Sequence, residues 1–162
     1  MEKNSCGVDI SDNNLEEATK KGRRIIKMDL NQPRDIGENF DAVFISHILE
    51  HVDSPINLLR YANKQLGPKG MIVISVPNES SFANLIYPYY THDSNHIYGF
   101  TIANMKELLS ATGFDNINLY YDYYTAITKK LRINNFLKVL DVFPSFIKNP
   151  ASWAFWFTAK KI

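Results

Sequence analysis

His47, Glu50 and His51 stand at positions i, i+3 and i+4. On a helix that spacing puts all three on one face, and a His–Glu–His set could bind a transition metal. His96 follows about 45 residues later, and it and His92 flank Asp93. A histidine in such a place could act as general base toward a hydroxyl group. It could equally be a loop residue bonded to backbone. Two further acids, Asp9 and Asp29, each close a short apolar run. Acids at strand ends matter because ligands of open α/β sheets sit beyond the carboxyl ends of the strands. The rival readings are a helix-capping aspartate for Asp9 and a solvated acid for Asp29.

Strand-like and helix-like patterns alternate along the chain, as expected of an α/β domain with a mostly parallel sheet. Cys6 to Ile10 reads as a short strand. Ser11 or Asp12 caps a helix with Leu15, Ala18 and Thr19 facing inward, and Arg24 to Met28 forms a second strand. Phe40 to Ser46 is an almost unbroken apolar run, the pattern of a strand buried on both faces. Ser54-Pro55 opens a helix carrying Ile56, Leu59, Ala62 and Leu66, and Gly67-Pro68-Lys69-Gly70 breaks it. Met71 to Val76 is a further buried strand, stopped by Pro77.

Residues 78–100 form a long connection rich in Tyr, His, Asn and Ser, a length usually associated with function or loose order. Thr101 caps a helix with Met105, Leu108, Leu109 and Ala111, which ends at Gly113. Phe114 to Ala126 and Trp153 to Ala159 complete the set as strands, with a basic, then amphipathic insertion at about 129–150 between them. Tyr87, Tyr89, Tyr90, Tyr120, Tyr121, Tyr123 and Tyr124 could wall a pocket for a ring or sugar, although aromatics in strands more often pack on the sheet. Lys129-Lys130-Leu131-Arg132 could touch a membrane surface or a partner, or simply lie on a solvated helix.

Length and composition limit the alternatives. The 162 residues fit one domain spanning 1–162. With 45% hydrophobic and 22% charged residues, a core is expected and wholesale disorder is not. A net charge of +1 argues against nucleic acid as a partner. The single cysteine, Cys6, excludes an internal disulfide and reads as a small buried hydrophobe. No apolar run reaches a membrane span and no secretion signal opens the chain, so a cytoplasmic location is expected.

The order of tags resembles the class I S-adenosylmethionine-dependent methyltransferases, and among them the group acting on small molecules, quinones and glycans. The tags are Val8-Asp9-Ile10-Ser11, Asp29-Leu30, Phe40-Asp41-Ala42-Val43, Ile48-Leu49-Glu50-His51-Val52, Leu66-Gly67-Pro68-Lys69-Gly70, Val76-Pro77-Asn78, His96 to Thr101, and Gly113-Phe114. They run from about residue 6 to residue 126. The resemblance implies a Rossmann-like α/β fold, S-adenosylmethionine as cofactor, and methyl transfer to a hydroxyl of a small molecule or glycan. It implies that Asp9 holds the ribose hydroxyls, with Ile10 beside it. Asp29 meets the adenine amino group, Leu30 packs near the ring, and Ser46 and His47 line the methionine end. A catalytic residue need not exist, because alignment supplies most of an in-line methyl displacement. Some members of the family resemble the His47 to His51 stretch with an E-x-x-E-H run that binds a divalent metal, but here His47 replaces the first acid and Leu49-Glu50-His51-Val52 also occurs in metal-free relatives, so no metal is expected. A second copy of the chain is a candidate partner.

One departure from the family is large. Its glycine-rich turn, of the type G-x-G-x-G, and the strand before it are absent. That strand lies mid-sheet in the family, so its loss should leave two inner strand edges unpaired, at about 1–3 kcal/mol per buried orphan group. A truncated gene product is the expected reason. The alternatives are a sheet that closes up, pairing the Asp9 strand with the Phe44 strand, and a strand supplied by another chain. A methyltransferase-like, non-catalytic interaction subunit is the second functional reading. A nucleotide-binding dehydrogenase is a weaker third, since it too would need the glycine-rich turn.

Overall fold

The computed structural model describes residues 5–78, 96–121 and 154–162. The chain divides into two compact units, Met1–Gly37 and Glu38–Ile162. The Tyr87–Tyr90 cluster, His92, Asp93, Tyr123, Tyr124 and the 129–150 insertion lie outside the described residues.

The first unit is a β–α–β element: β1 (Gly7–Asp9), α1 (Asp12–Lys20) and β2 (Ile25–Lys27). The strands are parallel, with Gly7 opposite Ile25 and Asp9 opposite Lys27. Backbone bonds extend the pairing at both ends, from Gly7 N–H to the Arg24 carbonyl and from Met28 N–H to the Asp9 carbonyl. Leu15 and Ala18 of α1 are half-buried, as their spacing predicts, whereas Thr19 is exposed with its hydroxyl donating to the Leu15 carbonyl, and no residue of the helix is fully buried. Its exposed face carries the i,i+4 pairs Glu16–Lys20 and Glu17–Lys21, each worth only about 0.3–0.5 kcal/mol. Cys6 is half-buried rather than buried, because so short a strand pair offers little cover.

The second unit is built on four strands in the order β3 (Phe40–Ser46), β4 (Leu66–Pro77), β6 (Ala154–Lys161), β5 (Phe114–Tyr121). β3 and β4 are parallel, whereas β6 runs antiparallel to both β4 and β5. Alternation sorts the side chains. Ile45, Ile72, Ile74, Val76, Phe155, Phe157 and Ala159 form a buried face, and α2 (Pro55–Gln65) and α3 (Ile102–Ala111) add Leu58, Leu59, Ala62, Met105 and Leu109 to the core. Both helix starts follow from sequence. Ser54 Oγ accepts the Asn57 N–H ahead of Pro55. Thr101 and Asn104 bond each other's backbone N–H reciprocally, a capping box. The far end of α2 is held by Lys161, whose ammonium donates to the Asn63 and Leu66 carbonyls at 2.8 and 2.6 Å.

Three expectations change. Gly67 to Gly70 does not merely break a helix: it belongs to β4, which starts at Leu66 opposite Phe40 and shifts register between Phe40 and Ala42. Lys69 takes a positive φ of 62° there. A Cβ at Gly70 would meet the Leu66 side chain at 2.9 Å, so the close approach needs glycine. Second, β3 is not buried on both faces. Phe44 is 63% exposed and stacks on Trp156 with ring centroids 5.9 Å apart. The reason is positional, since β3 has only β4 beside it among the described residues. Third, the Asp9 strand and the Phe44 strand are not paired among the described residues. β1 pairs with β2 in one sheet, and β3 lies in another.

Candidate functional site

Asp9 and Asp29 come to the same end of the first unit, at the carboxyl ends of the parallel strands β1 and β2. Each shapes the turn that follows it. Asp9 Oδ1 accepts the Ser11 N–H at 2.8 Å and Oδ2 accepts the Asn14 amide at 2.9 Å. Asp29 Oδ1 accepts the Asn31 N–H at 2.9 Å. The Ser11 N–H, joined by the Asn14 amide and the Ile10 N–H, holds the Asp9 carboxyl below its ordinary value against a smaller opposing effect of burial. Asp9 therefore stays ionised at neutral pH. Each carboxylate oxygen has lone-pair capacity beyond one bond, so turn-forming and ligand-holding are compatible. Ile10 is 60% exposed immediately beside Asp9, while Leu30 is half-buried.

In the second unit β3 ends at Ser46, opposite Ser75 of β4, and the chain turns at once. His47 N–H donates to the Ser75 carbonyl at 2.9 Å. His47 has φ +51°, a left-handed conformation that costs a non-glycine residue roughly 1 kcal/mol or more and tends to collect at functional positions. Its ring is fixed from two sides: Nε2 lies 3.2 Å from Ser75 Oγ and Nδ1 lies 3.4 Å from Glu50 Oε1. Residues 47–53 form turns and bends rather than a helix, with His51 N–H donating to the Ile48 carbonyl. The three side chains are thus gathered by tight turns, not by helical periodicity.

His96 is delivered to this turn by backbone. The Glu50 carbonyl accepts the Ile97 N–H at 2.8 Å and the Tyr98 N–H at 3.3 Å. The Tyr98 hydroxyl donates to the Asp53 carbonyl at 2.8 Å. The His51 and His96 rings meet edge to face at 4.8 Å, and ligand atoms of Glu50, His51 and His96 lie within 4.8 Å of one another. These three residues could therefore hold a metal. Spacing within 47–51 pointed to part of this cluster, whereas nothing local in the sequence pointed to the junction with His96. Tyr120 and Tyr121 sit on β5, where Tyr120 faces Trp156 across the strands and Tyr121 meets Phe155 edge to face. Tyr121 thus packs on the sheet, while Tyr120 is 44% exposed.

Residues 2–119 match the family model described as a methyltransferase domain. The chain belongs to the methyltransferase domain family. It is 25% identical over 135 residues to a tRNA U34 carboxymethyltransferase of Trichodesmium erythraeum, covering 75% of this chain and 41% of that protein. A second curated relative is covered over 62% of its length, so the chain spans about two fifths to three fifths of the relatives it matches. Among solved structures, a SAM-dependent methyltransferase from Archaeoglobus fulgidus superposes with a TM-score of 0.66 at 22% identity, covering 97% of this chain and 76% of that one. Phosphoethanolamine N-methyltransferase 2 of Haemonchus contortus, in complex with S-adenosyl-L-methionine, gives 0.64 at 20% identity, covering 96% and 43%. At these identities the solved structures establish the fold, a Rossmann-like methyltransferase sheet. No described helix is long and apolar enough to cross a membrane.

Proposed function

We propose that the protein is an S-adenosylmethionine-dependent methyltransferase acting on a hydroxyl of a small molecule or glycan. The observation that carries this reading is the placement of two carboxylates, Asp9 and Asp29, at the carboxyl ends of neighbouring parallel strands. In the proposal Asp9 takes the ribose hydroxyls and Asp29 the adenine amino group, with Ile10 and Leu30 offering apolar surface to the nucleoside. The exposure of Ile10 beside an ionised carboxylate suits that role. Ser46 and His47 are assigned to the methionine end. The contacts of the His47 ring with Ser75 and Glu50 support a positioning function. The likeness to a phosphoethanolamine N-methyltransferase in complex with S-adenosyl-L-methionine supports the cofactor.

The second reading is a methyltransferase-like interaction subunit without catalysis. Calorimetric titration of the purified chain with S-adenosylmethionine separates the two. Micromolar binding is expected for the enzyme, and absence of heat at millimolar cofactor would favour the interaction subunit.

A further inference from the structure

We propose that Ser75 is a positioning residue for S-adenosylmethionine: its hydroxyl fixes the ring of His47, and the fixed ring holds the methionine end of the cofactor. The proposal rests on the assignment of His47 to that end. Ser75 is the one polar side chain in the run Met71-Ile72-Val73-Ile74-Ser75-Val76, and it is fully buried. A β-branched apolar residue would suit this strand position better, and a buried hydroxyl is costly unless it is bonded. The bond it makes is to the His47 ring, with Oγ 3.2 Å from Nε2. Ser75 also lies directly across from Ser46, the other residue assigned to the methionine end, so the two side chains rise from one face of the sheet.

His47 carries a cost of its own. Its φ of +51° is one that glycine adopts freely and other residues reach only under strain. The same residue of β4 holds it twice, since the Ser75 carbonyl accepts the His47 N–H at 2.9 Å while the Ser75 hydroxyl meets the ring. Oε1 of the buried Glu50, 3.4 Å from Nδ1, sets the other side of the ring. A strained backbone and a hydroxyl in an apolar strand are thus both maintained around one imidazole. That side chain is nevertheless 49% exposed, so the contacts aim a surface outward and do not simply complete a core.

The contacts also decide what the ring can offer. Nδ1 faces an oxygen of Glu50, so this nitrogen carries the ring proton, and Nε2 accepts the Ser75 O–H. With both nitrogens turned toward protein atoms, the ring meets the cofactor through its carbon edge and faces. It selects by shape and fixes the orientation of the methionine chain, and orientation is what an in-line methyl displacement most needs.

The test is calorimetry on the full chain with two probes, S-adenosylmethionine and methylthioadenosine, which keeps the nucleoside and lacks the amino-acid end. Ser75→Ala, its fold checked by circular dichroism, should weaken S-adenosylmethionine by about tenfold or more. Methylthioadenosine should stay within about twofold of the parent, the ordinary scatter between independent sites. His47→Gly, which removes the ring and relieves the backbone, should show the same pattern. The double variant should bind no more weakly than His47→Gly alone, because Ser75 acts through the ring. Nitrogen NMR should place the His47 proton on Nδ1 in the parent, and Ser75→Ala should lose that single tautomer. Parent-like uptake of S-adenosylmethionine by Ser75→Ala, equal weakening of both probes, additive losses in the double variant, or a proton fixed on Nε2 would overturn the proposal. A parent that binds methylthioadenosine but not S-adenosylmethionine overturns it and leaves the nucleoside roles of Asp9 and Asp29 standing, whereas a parent that binds neither overturns both.

Discussion

The Ile97 N–H donates to the Glu50 carbonyl at 2.8 Å, joining two segments far apart in sequence. This bond and its companion from Tyr98 bring His96 beside His51 and place the 96–100 segment on the turn that follows β3. The contact links a turn set by the apolar run of β3 to a segment that ends in the Thr101 cap of α3. Position in the site is therefore determined by backbone bonding, with the side chains carried along.

Tyr98 gives that docking a removable part. Its hydroxyl bonds the Asp53 carbonyl at 2.8 Å. The Tyr98→Phe variant keeps the ring and the two backbone bonds and loses only the hydroxyl. It should lower stability by about 1 kcal/mol, the usual net value of one such bond, as read from urea unfolding with an unchanged m-value.

Asp9 should make the protein sensitive to acid in a defined window. Its carboxyl is held below the ordinary value of 3.8, chiefly by the Ser11 N–H and also by the Asn14 amide. A carboxyl depressed in the folded state contributes its stability fully above the unfolded value and loses it as pH falls through the folded value. Asp9→Asn should therefore be less stable than the parent near neutral pH. The gap should narrow as pH drops below about 4. Denaturant unfolding of both proteins from pH 7 to pH 2.5 measures this directly, and a gap that widens in acid would contradict the assignment.

Much of the fold was legible because it follows from local chemistry. Ser54-Pro55 and Thr101 announced the starts of α2 and α3, and Asp9 and Asp29 were placed at strand ends by the apolar residues before them. The state of β3 was not legible. Val43-Phe44-Ile45 reads the same whether or not a neighbouring strand lies beside it, and only the topology reveals Phe44 at an edge. The Gly67–Gly70 stretch misled because glycine and proline signal a turn, yet Gly70 serves close packing against Leu66 inside an irregular strand. The union of His96 with Glu50 depended on a long-range backbone bond, which no periodicity encodes.

The most direct test of the central claim is S-adenosylmethionine binding by the parent, Asp9→Ala and Asp29→Ala, measured side by side by calorimetry. The account predicts that the parent binds and that each variant loses at least tenfold in affinity, about 1.4 kcal/mol or more. Circular dichroism matching the parent's would show that the first unit remains folded. Two folded variants that take up the cofactor as tightly as the parent would contradict it.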